Sequence, residues 1–214
     1  MGRLLDLFDK YDTSKAHRHI RHYADAYEKQ IDWLVGRNFT MLEIGVSGGA
    51  SLQAWREYFG PNFTYFGMDI NPECNKWNEG LRQRVFIGNQ SKQEHLMAMV
   101  MEANGFDLVI DDGSHNVEDQ QETLKTLWPF LNPGGVYVVE DLHTSYHKFD
   151  KPCYGGGPVR KPGTAIDMLK NLVDDVNRKW VEPGGLNVYL DGLESMTFYD
   201  SMCFLHKIGT WTSL

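Results

Sequence analysis

Two apolar runs of the sequence each end on a pair of acids, in the stretches FDLVIDD and GVYVVED. An ionised carboxylate is costly away from water unless a partner compensates its charge, so these pairs are either separately solvated strand ends or parts of a site. If the runs form adjacent parallel strands about 4.8 Å apart, Asp112, Glu140 and Asp141 converge at one edge of a sheet. Crowded carboxylates repel one another unless a cation lies among them. Oxygen ligands without thiolates favour Mg²⁺, with Mn²⁺ or Ca²⁺ as alternatives.

His115 follows Asp112 by three residues and would lie at the mouth of the same edge. Imidazole is the commonest general base near neutral pH, because its unperturbed pKa is about 6.5. The alternative is a residue that only precedes the next helix, since Asn116 has the pattern of an N-cap with Asp119 at the third helical position. The residues alone leave both roles open.

A glycine loop lies in the stretch EIGVSGGAS, from Glu43 to Ser51. It differs from the dinucleotide-binding pattern Gly-x-Gly-x-x-Gly because Ser47 occupies the position of the second glycine. Glycine at such a turn lets the backbone pass close to a ligand and begin a helix. The acid Asp69 follows Gly49 by roughly 20 residues, at a strand end where acids in nucleotide-binding folds accept hydrogen bonds from the ribose hydroxyls. A generic strand-to-helix turn is the alternative, and Asp69 favours cofactor binding over it.

The elements that must position these residues alternate between short apolar runs and amphipathic segments. Runs without polar alternation are typical of strands covered on both faces, and alternation of strand and helix indicates a parallel sheet. The five runs are Phe39–Gly45, Thr64–Ile70, Arg84–Asn89, Phe106–Asp112 and Gly135–Asp141. After a helix near 164–179, SMTFYD and MCFLHK predict a hairpin that turns at Ser201. The predicted fold is therefore α/β: a Rossmann-like, doubly wound, mostly parallel seven-stranded sheet with a C-terminal antiparallel hairpin and an added N-terminal helix.

One domain over residues 1–214 is the expected organisation for this length. An N-terminal extension spans 1–37 and contains a helix at about 16–36. Its histidines, His17, His19 and His22, favour a solvated or oligomer-forming face over a metal site, so a homo-oligomer is an expectation. The glycine- and proline-rich residues 150–163 predict a mobile loop.

Composition restricts the partners and the compartment. A formal net charge of −8 argues against a nucleic-acid partner, which requires clustered Lys and Arg. No window reaches the roughly 18 consecutive apolar residues of a membrane helix, and MGRLLDLFDK has too short an apolar core for a signal peptide. The cysteines Cys74, Cys153 and Cys203 are odd in number and widely spaced, which is typical of reduced thiols in a cytoplasmic protein.

Five stretches together resemble the class I S-adenosylmethionine-dependent methyltransferases. LEIGVSGGAS is similar to their first motif, GMDI to their second, and GNQSK to the segment that packs around adenine. VIDDGSH and VVEDLHTSY are more specific and are similar to metal-dependent macrolide sugar O-methyltransferases of the mycinamicin type and to cephalosporin-hydroxylase-like proteins. The resemblance covers roughly residues 10–207.

The resemblance implies roles for individual residues. It implies Asp112, Glu140 and Asp141 as metal ligands and favours His115 as the general base. His143 and Tyr146 follow the strand that ends on Glu140 and Asp141, and they are candidates for substrate contact. The residues expected at the cofactor S-adenosylmethionine are Glu43, Gly45, Ser47, Gly49, Ser51, Asp69, Asn89, Gln90, Ser91 and Asp111.

The function expected from these residues is metal-dependent O-methyl transfer to a small molecule with two neighbouring oxygens, such as a sugar or another natural product. Two other classes stay open. A non-catalytic S-adenosylmethionine-binding protein would bind the cofactor without turnover. An oxidoreductase like the cephalosporin hydroxylases would bind a nicotinamide cofactor instead, and Ser47 in the glycine pattern argues against it.

Overall fold

A seven-stranded sheet forms the centre of the computed structural model, which describes residues 2–17, 19–146, 154–181 and 190–210. Its strands are β1 (Thr40–Ile44), β2 (Thr64–Asp69), β3 (Gln83–Ile87), β4 (Phe106–Asp111), β5 (Leu131–Val139), β6 (Leu193–Tyr199) and β7 (Met202–Lys207). The order in the sheet is β3-β2-β1-β4-β5-β7-β6. The first five strands are parallel, and β7 is antiparallel to both of its neighbours. The predicted fold class, including the terminal hairpin, is confirmed.

Helices cover both faces of this sheet, because the central strands are apolar on both sides. They are α1 (Arg3–Lys10), α2 (His22–Ile31), α3 (Ala50–Phe59), α4 (Gln93–Ala103), α5 (Val117–Leu127), α6 (Ala165–Asn171) and α7 (Val173–Val176). Two hydrophobic clusters result, one on each face. The helix expected near 164–179 is divided into α6, α7 and a short 3-10 turn. No helix in the described ranges has the length and apolar character needed to cross a membrane.

The N-terminal segment differs from the single helix expected at 16–36. It contains two α-helices, α1 and α2, with 3-10 turns at Ser14–Ala16 and Asp32–Leu34. Helix α1 has an apolar face that packs on α3, where the rings of Phe8 and Trp55 are 5.3 Å apart. The segment therefore shares a hydrophobic cluster with the sheet.

The predicted mobile loop at 150–163 lies partly outside the described residues, as does Cys153. In the described part, Lys161 Nζ donates to the carbonyl oxygen of Gly155, and the Gly157 amide donates to that of Ser145. Its mobility and the boundaries of the single domain stay predictions. Cys74 and Cys203 are buried free thiols.

Candidate cofactor and metal site

A cleft lies beyond the carboxyl ends of β1, β2, β3 and β4, with a volume of about 150 Å³. The strand order reverses between β1 and β4, and this is where ligands bind in open α/β sheets. The cleft is lined by Ile44, Gly45, Met68, Asp69, Ile70, Gly88, Asn89, Gln90, Gly113 and Ser114. Gly45, Asp69, Asn89 and Gln90 belong to the residues that we expected at the cofactor.

The glycines of the first loop are required by the backbone. Gly45 has φ +93°, and a Cβ there would lie 2.1 Å from the carbonyl oxygen of Asp112. Gly49 has φ +75°, and a Cβ there would lie 2.2 Å from the ring of Trp77. Gly48 has open space around the same position. Two glycines of this loop therefore permit close approaches that no other residue allows.

Asp69 is fixed at the edge of the cleft by two backbone amides. Ser47 N donates to its Oδ2 at 2.7 Å, and Asn71 N donates to its Oδ1 at 2.8 Å. Ser47 adopts φ +48°, a conformation that non-glycine residues seldom adopt. The loop thus holds the carboxylate that we expected at the ribose.

Two predicted cofactor residues, Glu43 and Asp111, lie behind the cleft rather than in its lining. Glu43 is buried and accepts hydrogen bonds from Trp55 Nε1 at 3.1 Å and from the Tyr65 hydroxyl at 2.7 Å. Burial raises the pKa of Glu43, against the lowering by Lys15. Any effect of Glu43 on a bound cofactor would pass through these neighbours.

Asp111 lies beneath Gln90. Gln90 Nε2 donates to Asp111 Oδ1 at 3.1 Å, and Gln90 Oε1 accepts from Ser114 N at 2.6 Å. Burial raises the pKa of Asp111 to about 7. Of the other expected residues, Ser91 is exposed beside Asn89, and Ser51 is half-buried in the first turn of α3.

Three side chains at the same edge could hold a metal ion. One ligand atom each of Asp112, His115 and Asp141 lies within 4.8 Å of the others, in the part of the chain that is described. His115 Nε2 is 3.5 Å from Asp141 Oδ2. His115 and Asp141 have φ values of +55° and +54°. Such backbone conformations cost about 1 to 3 kcal/mol each and cluster at functional sites.

Glu140, the third carboxylate predicted to bind metal, faces the N-terminal segment instead of this group. Lys15 Nζ donates to Glu140 Oε2 at 2.8 Å and to Oε1 at 2.9 Å, and the Tyr27 hydroxyl also donates to Oε1. Lys15 makes a third hydrogen bond, to Asp112 Oδ2. Burial alone would lower the pKa of Lys15, but the charges of Asp112, Glu140 and Glu43 raise it well above its ordinary value. Lys15 is therefore a charged ammonium, and the role of Glu140 as a metal ligand stays a prediction.

The N-terminal segment also holds Asp141. The Tyr23 hydroxyl donates to Asp141 Oδ1 at 2.9 Å, which fixes the carboxylate from the side of α2. Lys15, Tyr23 and Tyr27 were missed by the sequence analysis. A single lysine has no informative spacing, whereas the spacing of four residues between Tyr23 and Tyr27 on one helical face was a usable signal.

His143 and Tyr146 line a second cavity on the other side of Asp141. The cavity has a volume of about 410 Å³ and is lined by Leu142, His143, Tyr146, Ile166, Lys170, Phe198, Tyr199, Asp200 and Ser201. His143 Nδ1 lies 2.7 Å from Ser201 Oγ and 3.9 Å from Asp141 Oδ1. Tyr146 is 43% exposed. Asp112, His115 and Asp141, the candidate metal-binding group, thus lie between the cleft and this cavity along the strand ends.

The parallel sheet with its terminal hairpin, glycine loop and acid at the end of β2 is the Rossmann-like fold of class I methyltransferases. A family model described as a methyltransferase domain matches residues 42–142. These residues therefore form a methyltransferase domain.

The chain is similar to sugar O-methyltransferases of antibiotic biosynthesis. It is 31% identical to mycinamicin VI 2''-O-methyltransferase of Micromonospora griseorubida, over 89% of this chain and 49% of that protein. It is 34% identical to a tetracenomycin-C 3'-O-methyltransferase of Streptomyces olivaceus that acts on a 2-methoxy-rhamnosyl compound, over 86% of this chain and 49% of that protein. The chain spans about half the length of these relatives.

The solved structure of the MycE methyltransferase from the mycinamycin pathway, in complex with Mg and SAH, superposes with a TM-score of 0.85. The two proteins are 29% identical, and the match covers 97% of this chain and 55% of that one. Nearly all of this chain therefore corresponds to one part of a longer enzyme.

Proposed function

We propose that this chain is an S-adenosylmethionine-dependent and divalent-metal-dependent O-methyltransferase that acts on a hydroxyl group of a sugar-bearing small molecule. The observation that supports it most is the connection between the two sites. Gly113 and Ser114 line the cleft, and they lie between Asp112 and His115 of the metal-binding group. A methyl donor in the cleft and an acceptor at the group would thus be neighbours, which methyl transfer requires.

The cleft fits S-adenosylmethionine. Asp69 offers a fixed carboxylate for the ribose hydroxyls, and the backbone at Gly45 leaves no room for a side chain. S-Adenosylmethionine supplies an electrophilic methyl group on sulfur. The protein contributes the orientation of the cofactor, since Asn89 and Gln90 line the cleft together with Gly45 and Asp69.

The metal-binding group fits Mg²⁺, with Mn²⁺ or Ca²⁺ as alternatives, because its donors are mainly carboxylate oxygens. Asp112 and Asp141 would hold the ion, with Glu140 as the further ligand that the sequence predicts. A bound divalent ion lowers the pKa of a hydroxyl group and orients two neighbouring oxygens.

His115 is proposed as the general base. Its Nε2 faces Asp141 at 3.5 Å and would accept the hydroxyl proton while the acceptor oxygen attacks the methyl carbon, the bond from that carbon to sulfur breaks, and S-adenosylhomocysteine leaves. The cavity at His143 and Tyr146 receives the rest of the acceptor. Two relatives are named as O-methyltransferases of rhamnosyl tetracenomycin-C compounds, and a cavity of about 410 Å³ beside the group agrees with an acceptor of this kind.

The test is transfer of a radiolabelled methyl group from S-adenosylmethionine to a panel of rhamnosides, other deoxysugar glycosides and catechols. We expect transfer to one class of vicinal oxygens that stops with EDTA and returns with Mg²⁺. Transfer that is undiminished after exhaustive chelation would contradict the metal requirement. Binding of the cofactor without transfer to any acceptor would favour a non-catalytic binding protein.

A further inference from the structure

Lys15 is a buried lysine in direct contact with the candidate site. It is only 1% exposed, although lysine is almost never fully buried unless it is paired. An ammonium group has three N–H donors, and here three oxygens accept: Asp112 Oδ2, Glu140 Oε1 and Glu140 Oε2. No donor remains for a substrate, so Lys15 acts on its neighbours rather than on a reacting molecule.

The charges around Lys15 explain what this contact does. Glu140 is buried, and its charged form would be uncompensated without the ammonium, since its other partner, the Tyr27 hydroxyl, is neutral. Asp112 contacts Lys15 and also belongs to the metal-binding group with His115 and Asp141. The ammonium thus fixes one carboxylate of the group and neutralises the acid beside it.

The position of Lys15 is itself fixed by the packing of α1. Lys15 lies on the 3-10 turn Ser14–Ala16, which begins after Thr13, whose amide donates to the Phe8 carbonyl oxygen at 3.0 Å. Phe8 is fully buried against Trp55 of α3. The N-terminal segment therefore places a rigid cation at the edge of the sheet.

We propose that Lys15 is a positioning residue for the metal-binding group, which it orders through Asp112. This inference rests on the proposed function, because it assumes that the group binds a divalent cation. Partners that orient metal ligands from outside typically contribute 10- to 100-fold to metal affinity. Two effects of removing Lys15 have opposite signs. Loss of a neighbouring positive charge would strengthen cation binding. Loss of the hydrogen bond that fixes Asp112 would weaken it.

The test is a titration of the metal-free protein with Mn²⁺, in which electron paramagnetic resonance measures the concentration of free Mn²⁺ at each step. We expect Lys15→Met to weaken binding about 10-fold or more. Lys15→Gln should be intermediate, because its amide still donates hydrogen bonds but carries no charge. The matched control is Lys10→Met, which removes a lysine whose side chain is 54% exposed and paired with Glu57. Two measurements report whether each variant is folded. Thermal denaturation should show one cooperative transition, and the dissociation constant of S-adenosylhomocysteine should change by less than about 3-fold.

Mn²⁺ affinity in folded Lys15→Met equal to or above that of the wild type would overturn the inference. So would equal or tighter binding by Lys15→Gln if the Met variant does not fold. A wild-type protein that binds no Mn²⁺ would contradict the metal-dependent function and this inference together. Normal wild-type binding with unaffected variants would contradict this inference alone.

Discussion

His115 Nε2 lies 3.5 Å from Asp141 Oδ2, although the two residues follow different strands of the sheet. Both adopt left-handed backbone conformations, which the surrounding structure must enforce. The Tyr23 hydroxyl holds the other oxygen of Asp141. An imidazole and a fixed carboxylate thus face the same space, where either a metal ligand or a general base could act.

The first prediction separates these two roles of His115. If His115 is the base, His115→Ala lowers kcat about 10²- to 10⁴-fold, and the Mn²⁺ dissociation constant changes by less than about 3-fold. Steady-state kinetics and Mn²⁺ titration measure the two quantities. His19→Ala, which removes an exposed histidine, should change neither. A Mn²⁺ affinity about 10-fold weaker in His115→Ala would identify His115 as a metal ligand instead. Near-normal turnover would show that His115 only precedes helix α5.

The second prediction concerns Asp141. Asp141→Asn keeps the size of the side chain but removes the charge that a divalent cation requires, so Mn²⁺ affinity should fall at least about 10-fold. S-Adenosylhomocysteine should bind nearly as before, because Asp69 ends β2 and the glycine loop follows β1, whereas Asp141 follows β5. Asp174→Asn, at an exposed acid of α7, is the control. Unchanged Mn²⁺ binding by Asp141→Asn would show that the cation binds elsewhere.

The third prediction uses two neighbouring glycines of the first loop. Gly45→Ala should lower the free energy of unfolding by about 2 kcal/mol or more, because the methyl group would meet the Asp112 carbonyl oxygen at a positive φ. Gly48→Ala should have little effect, since among the described residues no atom beyond its chain neighbours lies within 4 Å of the position that a Cβ would take there. Urea denaturation measures both variants. Equal stability of the two would contradict the close approach of the loop to Asp112.

The sheet could be predicted because each of its strands is recognisable from a short contiguous segment of the sequence. Each parallel strand contains a short, mainly apolar run followed by a turn residue, and Ser201 with its flanking strands predicts a hairpin. Asp69, Asp112 and Asp141 could then be predicted as site residues because they lie at the ends of these strands, and no tertiary contact was needed. Helix α1 was missed, because its acidic residues interrupt the apolar pattern and its apolar face is buried only by tertiary packing, on α3 and α2.

The environment of the acids could not be predicted in the same way. Strand alternation shows that Asp111 and Asp112 point apart, but not that Asp111 lies behind Gln90. The ion pair of Lys15 with Glu140 joins residues that are 125 positions apart, and nothing in either local sequence indicates it. Such contacts depend on the docking of the N-terminal segment, which is a tertiary event.

The fourth prediction is a pH dependence of stability in the metal-free protein. Burial raises the pKa of Asp111 to about 7, so its contribution to stability is complete below the unfolded pKa near 4 and is lost as the pH rises through 7. Between pH 5 and pH 8, Asp111→Asn should therefore lose less free energy of unfolding than the wild type, by about 1 to 3 kcal/mol. Urea denaturation in EDTA at both pH values measures this, with Asp174→Asn as the control. An identical pH dependence in wild type and Asp111→Asn would show that Asp111 is not the titrating group.

The fifth prediction concerns the contact of Asp69 with the cofactor. Asp69→Asn should weaken binding of S-adenosylmethionine about 10-fold, because a hydrogen bond to a charged group contributes about 1.5 to 3 kcal/mol. Glu94→Gln, at an exposed acid of α4, should bind as the wild type does. Affinities that are equal in Asp69→Asn and the wild type would remove Asp69 from the cofactor site.

The proposed function depends first on binding of S-adenosylmethionine in the cleft between β1 and β4, and equilibrium dialysis of the wild-type chain with the tritiated cofactor measures this binding. We predict saturable binding of about one molecule per chain, in the presence and absence of Mg²⁺, and displacement by S-adenosylhomocysteine but not by nicotinamide cofactors. No saturable binding under either condition, or displacement by a nicotinamide cofactor, would contradict the proposal.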